Sequence, residues 1–212
     1  MAAFAPAARI KVLSVDDHPL LREGIAAMIN CESDMHLAGI ASTGKEAIQK
    51  FRELQPDVTL MDLSLPDICG IDVLISIRSE YPNARLIMLT TFNGDVDIQR
   101  ALKAGAYGYQ LKSAPRKELI DAIRKVHSGK KSVPPEVAAQ LCEHLSGETL
   151  SQREIDVLRH IAGGNRNKDI ADRLFISEET VKVHIKHIME KLGASDRTQA
   201  MAIAARRGII RL

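Results

Sequence analysis

Asp62 ends the run Val58-Thr-Leu-Met61, which is apolar enough for a strand buried on both faces, where an unpaired carboxylate would cost several kcal/mol. Open α/β sheets use such an acid to build a site, because ligands bind outside the carboxyl ends of the strands. Three more strand-like runs bring chemistry to the same edge: Asp16 and Asp17 end IKVLSV, Thr90 ends ARLIMLT and Lys112 ends AYGYQLK. In a sheet of order 2-1-3-4-5 the first and third strands are neighbours, so Asp16, Asp17 and Asp62 converge. Three carboxylates in one place repel unless a cation holds them. Hard oxygen ligands with room for water suit Mg²⁺, and neither sulfur nor imidazole ligands are expected at this edge. Beside such an ion Asp62 becomes a nucleophile toward a phosphoryl group, Lys112 helps to neutralise its oxygens, and Thr90 hydrogen-bonds the product.

Five strand–helix units position these residues between Arg9 and about Ser128. They are IKVLSV with HPLLREGIAAMIN, MHLAGIAS with GKEAIQKFREL, DVTLMD with CGIDVLISIRSE, ARLIMLT with GDVDIQRALKAG, and AYGYQLK with APRKELIDAIRKVHS. Alternation of this kind predicts a flavodoxin-like α/β domain over residues 9–128, five parallel strands with helices on both faces. The composition then shifts to SGKKSVPPE, where Pro134 and Pro135 stop a helix and open another, EVAAQLCEHL; residues 129–147 read as a linker with a short connecting helix.

From Ser151 onward the patterns are helical throughout, and residues 148–212 read as an all-α domain of four helices. Ser151 and Glu154 form a capping box, and Gly163-Gly164 ends the first helix. Asn167 can cap KDIADRLF, Ser177 can cap EETVKVHIKHIMEKL, and Ser195 or Asp196 opens the last helix. The second and third of these are separated by the turn FIS, which is helix-turn-helix spacing. The third is apolar at Val181, Ile185, Ile188 and Leu192 and presents Lys182, Val183, Lys186 and His187 on the other side. Two lysines at i and i+4 can reach guanine O6 and N7 in a major groove, and Val183 a thymine methyl. His184 and His187 could also suggest a metal pair, but no carboxylate or cysteine partner is evident beside them.

Composition narrows the rest. With 45% hydrophobic and 26% charged residues the chain is an ordinary globular protein. Cys31, Cys69 and Cys142, an odd number with no C-x-x-C pair, argue for a reducing compartment, and Cys69 reads as a small filler. The opening MAAFAPAAR has no apolar core of signal-peptide length and no later run is long enough for a membrane helix, so a cytoplasmic protein with no membrane partner is expected. Residues 148–212 carry 12 Lys/Arg against 9 Asp/Glu, a mild positive excess that calls for dimerisation to reach useful occupancy of DNA.

The paired Asp16-Asp17, Asp62 followed by LSLP and a Gly, Thr90-Thr91, and GYQLK resemble the receiver domain of response regulators over about the first 125 residues. The stretch LSQREIDVLRHIAGGNRNKDIADRLFISEETVKVHIKHIMEKLGASDRTQAM resembles the LuxR-type helix-turn-helix domain, and the combination is that of the NarL/FixJ family. The resemblance implies that Asp62 accepts a phosphoryl group from a partner histidine kinase. It further implies that Asp17 and the Ser64 backbone carbonyl bind the Mg²⁺ directly and Asp16 through water. Thr90 would be the switch hydroxyl, and Tyr109 the aromatic that turns inward with it. Ser113 departs from the Pro that many receivers carry after the lysine, and a cis peptide before it would cost ~3 kcal/mol. By the same likeness Lys182, Val183 and Lys186 meet base edges of double-stranded DNA, while Thr180, His184 and His187 position the backbone. The chain would homodimerise when phosphorylated or DNA-bound, with contacts from the final helix. Two rivals differ in class: an Mg²⁺-dependent aspartate phosphatase, which would want an acid at Ser64, and a regulator whose receiver serves for docking and dimerisation without phosphorylation.

Overall fold

The computed structural model describes residues 9–91, 94–135, 137–139 and 150–210. Contacts divide these into one unit of residues 9–91 and 100–135 and a second of residues 94–99, 137–139 and 150–210. Among them no helix is long and apolar enough to cross a membrane.

Residues 10–127 alternate strand and helix as β1 (Ile10–Val15), α1 (Pro19–Asn30), β2 (Met35–Ala41), α2 (Gly44–Leu54), β3 (Val58–Asp62), α3 (Gly70–Glu80), β4 (Leu86–Thr90), α4 (Asp95–Lys103), β5 (Gly108–Leu111) and α5 (Arg116–His127), all in the first unit except the first five residues of α4. All strands are parallel, in the order β2-β1-β3-β4-β5. β3 and β4 are buried at every position, as strands covered on both faces must be. On one face Val12, Val58, Leu60, Ile87 and Leu89 pack against Ile25 and Ile29 of α1 and Leu119, Ile123 and Val126 of α5. Period-two alternation sends Leu13, Met61 and Met88, also fully buried, to the opposite face. Each such aliphatic side chain contributes about 1.5–3 kcal/mol by leaving water.

Turn chemistry sets where the helices begin. Thr43 accepts the Glu46 N–H and caps α2, while Pro19 opens α1 at a position where its missing N–H costs nothing. Gly70 begins α3 hard against the end of β3: a Cβ there would lie 2.0 Å from the Asp62 carbonyl oxygen, so any side chain would push the acid out of place.

Within the expected linker, residues 129–147, one residue pairs with the sheet. Ser132 bridges to Gly108 of the edge strand β5, its N–H donating to the Tyr107 carbonyl at 2.8 Å and its carbonyl accepting from Tyr109 N–H at 3.0 Å. An unpaired edge leaves backbone donors and acceptors open, and Ser132 satisfies one of each, the Tyr109 N–H and the Tyr107 carbonyl. Of the expected connecting helix EVAAQLCEHL, residues 137–139 are helical and the others lie outside the described residues.

The second unit contains α6 (Gln152–Ala162), α7 (Asn167–Leu174), α8 (Glu178–Leu192) and α9 (Arg197–Arg206). Their apolar faces meet in one core of Val157, Leu158, Ile161, Ile170, Val181, Ile188, Ala200 and Ala204, with Ile185 and Leu192 packed against it. The Ser151–Glu154 capping box forms, Ser177 caps α8, and Asp196 rather than Ser195 caps α9. The expected cap of α7 is one residue off. Arg166 stands at the N-cap, with its N–H donating to Asp169 Oδ2 at 3.0 Å, because Asn167 Oδ1 is taken by Arg197 Nη1 at 3.2 Å.

Candidate functional site

The strand ends deliver their polar residues to one edge of the sheet. Asp16 and Asp62 are 0% and 2% exposed, and Lys112 Nζ lies 2.7 Å from Asp16 Oδ2 and 2.8 Å from Asp62 Oδ2. The other Asp62 oxygen, Oδ1, accepts the Ser64 N–H at 3.2 Å. The Lys112 N–H donates to the Thr90 carbonyl at 2.7 Å, and Leu63 N–H to the Leu89 carbonyl at 3.0 Å, so β5, β4 and β3 are tied together where these side chains emerge. Thr90 is buried one residue past the Asp62–Leu89 pair, and the Tyr109 side chain is fully buried. Asp17 follows Asp16 into the cluster at the surface.

Burial pushes the Asp62 carboxyl above its ordinary value, and the Lys112 ammonium offsets this in part. Burial would lower Lys112, but its bonds to Asp16 and Asp62 outweigh that and hold it above the usual lysine range. The lysine is therefore a permanent cation at neutral pH, balancing a cluster that still holds more acids than bases. Asp16, Asp17, His18 and Asp62 each offer a ligand atom, all within 4.8 Å of one another. An octahedral shell with bonds of about 2.1 Å places its ligands about 3–4 Å apart, so the cluster fits a small divalent cation with water completing the shell.

In the second unit, α8 keeps Val181 and Ile188 in the core and turns Lys182, Val183, Lys186 and His187 to solvent, with Thr180 and His184 half-buried. Val183 is 51% exposed. The Thr180 hydroxyl lies 2.8 Å from Ser177 Oγ and is part of the cap of α8. Lys182 pairs with Glu179 at 3.2 Å and Lys186 with Glu190 at 3.8 Å, both on the surface.

Comparison with known proteins assigns both halves. Residues 12–124 match the family described as response regulator receiver domain, and residues 148–204 match bacterial regulatory proteins, luxR family. The chain is 39% identical to the response regulator protein VraR of Staphylococcus aureus over 206 residues, 95% of this chain and 99% of that one. This chain is a response regulator of the NarL/FixJ family. Other similar proteins agree. An uncharacterized transcriptional regulatory protein, YxjL of Bacillus subtilis, is 40% identical over 95% of this chain and 98% of its own. The response regulator ChrA of a heme-sensing two-component system is 35% identical, with a TM-score of 0.58, over 95% of this chain and 99% of that one. RcsB from Salmonella enterica serovar Typhimurium, bound to the promoter rprA with the phosphomimetic BeF3⁻, is 27% identical, with a TM-score of 0.70, over 93% of this chain and 99% of that one.

One expectation for this response regulator needs correcting. An imidazole does stand at the acidic edge: His18 Nδ1 lies 3.1 Å from Asp16 Oδ1 and 2.7 Å from Asp17 Oδ1. Counting strand ends alone passed over it, because it is the last residue before α1 and not the end of a strand. The Lys112–Ser113 peptide is trans, as are all described peptides, so the strain considered for Ser113 does not arise. His184 and His187 join no metal-ligand cluster among the described residues.

Sequence reasoning also missed residues that hold this response regulator's sites in place. Asp67 Oδ1 accepts from Gly44 N–H at 2.7 Å and Ile68 N–H at 2.9 Å, and its Oδ2 from Lys45 N–H at 3.0 Å. Local desolvation pushes its carboxyl up, and these N–H donors more than offset it, holding it below its ordinary value. Asp67 thereby fastens the loop after Asp62 to the N-terminus of α2, a favourable place for an anion. Beneath α8, Lys191 reaches Glu154 Oε2 at 2.8 Å, joining α8 to the capping box of α6. Phe175, in the turn before α8, is 94% exposed with φ +54°, a left-handed conformation that a bulky residue adopts at a cost.

Proposed function

We infer that this response regulator accepts a phosphoryl group on Asp62 from a partner histidine kinase and that the modification controls DNA binding by its helix-turn-helix domain. The observation that carries the assignment is Lys112 Nζ bridging the buried Asp16 and Asp62 at 2.7 and 2.8 Å at the carboxyl ends of β1, β3 and β5.

An ionised Asp62 oxygen attacks phosphorus, a P–O bond forms, and the bond from phosphorus to the donor's histidine nitrogen breaks, leaving an acyl phosphate. A divalent cation, Mg²⁺ in this reading, supplies Lewis-acid neutralisation of the phosphoryl oxygens when bound. Asp17 and Asp62 with the Ser64 carbonyl hold it, and Asp16 acts through water. Lys112, already charged and desolvated, pairs with a phosphoryl oxygen once the Asp62 carboxylate charge is lost in the acyl phosphate. The buried Thr90 hydroxyl hydrogen-bonds another oxygen, and Tyr109 packs behind it. These two form the element with two arrangements whose populations phosphorylation shifts.

The output is binding of double-stranded DNA as a homodimer, with Lys182, Val183 and Lys186 at base edges and Thr180, His184 and His187 at the backbone. The solved RcsB complex with a promoter and a phosphomimetic supports both halves of this reading. Ser64 stands where an aspartate phosphatase would place its second acid, which favours stoichiometric labelling over turnover. Incubation with acetyl phosphate and Mg²⁺, followed by intact mass and peptide mapping, tests it: one phosphoryl group on Asp62, lost in Asp62→Asn, is expected. Labelling elsewhere, or unchanged promoter affinity after full labelling, would overturn the reading.

A further inference from the structure

The loop that leaves β3 at Asp62 returns as α3 at Gly70, and backbone bonds close it at both ends. Leu63 N–H donates to the Leu89 carbonyl, and Gly70 N–H to the Leu63 carbonyl, each at 3.0 Å. Just inside, Ser64 N–H donates to Asp62 Oδ1 at 3.2 Å while Lys112 holds Oδ2, so each oxygen of the acid has its own donor. Asp67 fastens the far side of the same loop. It takes the Gly44 and Lys45 N–H groups, which lack partners within the first turn of α2, and the Ile68 N–H of the loop itself. Helix α2 does not need this acid in order to begin, because Thr43 already accepts the Glu46 N–H at 3.2 Å. Gly44 leaves room for the contact: a Cβ there would lie 3.1 Å from Ile68 Cβ and 3.3 Å from Asp67 Oδ1. Leu65 and Pro66 separate Asp67 from Ser64, and the proline ring fixes φ, so the hold on Asp67 carries along the loop to Ser64.

We propose that Asp67 is a positioning residue for phosphoryl transfer to Asp62: by seating residues 63–69 on α2 it keeps the Ser64 N–H on the acid and so sets how fast Asp62 is phosphorylated. This role presupposes that Asp62 is the acceptor. In the transfer a bond from an Asp62 oxygen to phosphorus forms as the donor's bond to phosphorus breaks; with acetyl phosphate the leaving group is acetate. Clamped at both oxygens, the carboxylate meets phosphorus in one orientation, whereas freed on the Ser64 side it turns about its own torsions and spends less time aligned. Asp67 takes no part in the bond change, and its effect passes through Ser64.

The test uses the full-length protein and two readouts: the rate of Asp62 labelling by acetyl phosphate at saturating Mg²⁺, and amide exchange of Ser64, followed by NMR with neither Mg²⁺ nor acetyl phosphate present. Asp67→Ala removes the tie, Asp67→Asn keeps an oxygen acceptor, and Phe51→Leu weakens α2 at its other end, where the Phe51 and Tyr81 ring centroids are 5.2 Å apart. Labelling of Asp67→Ala is expected to slow by about tenfold or more and its Ser64 exchange to quicken by a similar factor, with Asp67→Asn within about threefold of wild type in both. Phe51→Leu should lower the melting temperature yet leave both readouts within about twofold. Wild-type labelling in Asp67→Ala, slowing without faster Ser64 exchange, or slowing in Phe51→Leu in proportion to its melting temperature would each overturn the role and leave Asp62 as the acceptor. Asp67→Ser, whose hydroxyl cannot span all three N–H groups, is read by the same criteria if the alanine variant does not fold. No labelling of Asp62 in the wild type would overturn the acceptor and the role together.

Discussion

Lys112 donates to Asp62 at 2.8 Å with 9% and 3% of the two side chains exposed, so the acid proposed to accept phosphate is held by a buried cation before any phosphate arrives. Removing one partner of a buried pair leaves an uncompensated charge, which costs about 3–5 kcal/mol when nothing relaxes. Here Asp62 can take up a proton, because burial already pushes its carboxyl up. Lys112→Met is therefore expected to destabilise the first unit by about 2 kcal/mol at pH 7. It should also slow labelling by acetyl phosphate more than it weakens Mg²⁺ binding. Calorimetric unfolding and labelling kinetics at several Mg²⁺ concentrations check both parts.

Asp62→Asn should move stability the other way. A carboxyl whose folded value lies above its unfolded one contributes stability fully below the unfolded value and loses it as pH rises through the folded value. At neutral pH an ionised Asp62 therefore costs stability, and a neutral amide does not. Without divalent cation, Asp62→Asn should be about 1 kcal/mol more stable than wild type near pH 7, the gap closing toward pH 4. Melting temperatures across that range in chelator would show it, and an equal gap at all pH values would rule out this origin.

The strand ends at Asp16, Asp62 and Lys112 were legible because a run buried on both faces that ends in a charge announces a site, and the order 2-1-3-4-5 of a doubly wound sheet then brings them together. The caps at Ser151 and Ser177 were legible for a similar reason, being local. What escaped depends on partners distant in the chain. Asp67 looks like a turn acid until α2 is placed beside it, and Asn167 looks like a cap until Arg197 claims its oxygen. Lys191 looks like a surface lysine until Glu154 lies beneath it. Ser132 was assigned to a linker because nothing in its neighbours betrays the open edge of β5.

Glu154 makes the second unit acid-sensitive. Burial pushes its carboxyl up, but Lys191 and the Ser151 N–H and hydroxyl outweigh this and hold it below its ordinary value. A depressed carboxyl contributes stability above its unfolded value, near 4.5, that is lost as pH falls through the folded one. Glu154→Gln is expected to lower stability by about 2 kcal/mol at pH 7 and to lose that deficit in acid. DNA binding should fail at a lower temperature in this variant, with unchanged affinity where it remains folded. Thermal unfolding by circular dichroism from pH 3 to 7 and binding assays at two temperatures separate these effects.

On α8 the proposed base-reading lysines are engaged with acids of their own helix, Lys182 with Glu179 and Lys186 with Glu190. Exposed pairs of this kind contribute at most about 1 kcal/mol, so DNA can displace them readily. If Lys182 and Lys186 donate to guanine edges, alanine at either position should cost ~1–3 kcal/mol at the specific site and leave binding to random DNA almost unchanged. Phosphate contacts would instead weaken both by the same factor and reduce the salt slope by about one. Glu179→Gln frees Lys182 and removes an anion from the helix face, so it should raise affinity for random and specific DNA alike, most at low salt. Gel-shift titrations of the labelled full-length dimer at two salt concentrations distinguish the outcomes. Equal losses on both DNAs for the lysine variants would move Lys182 and Lys186 from base edges to the phosphate backbone.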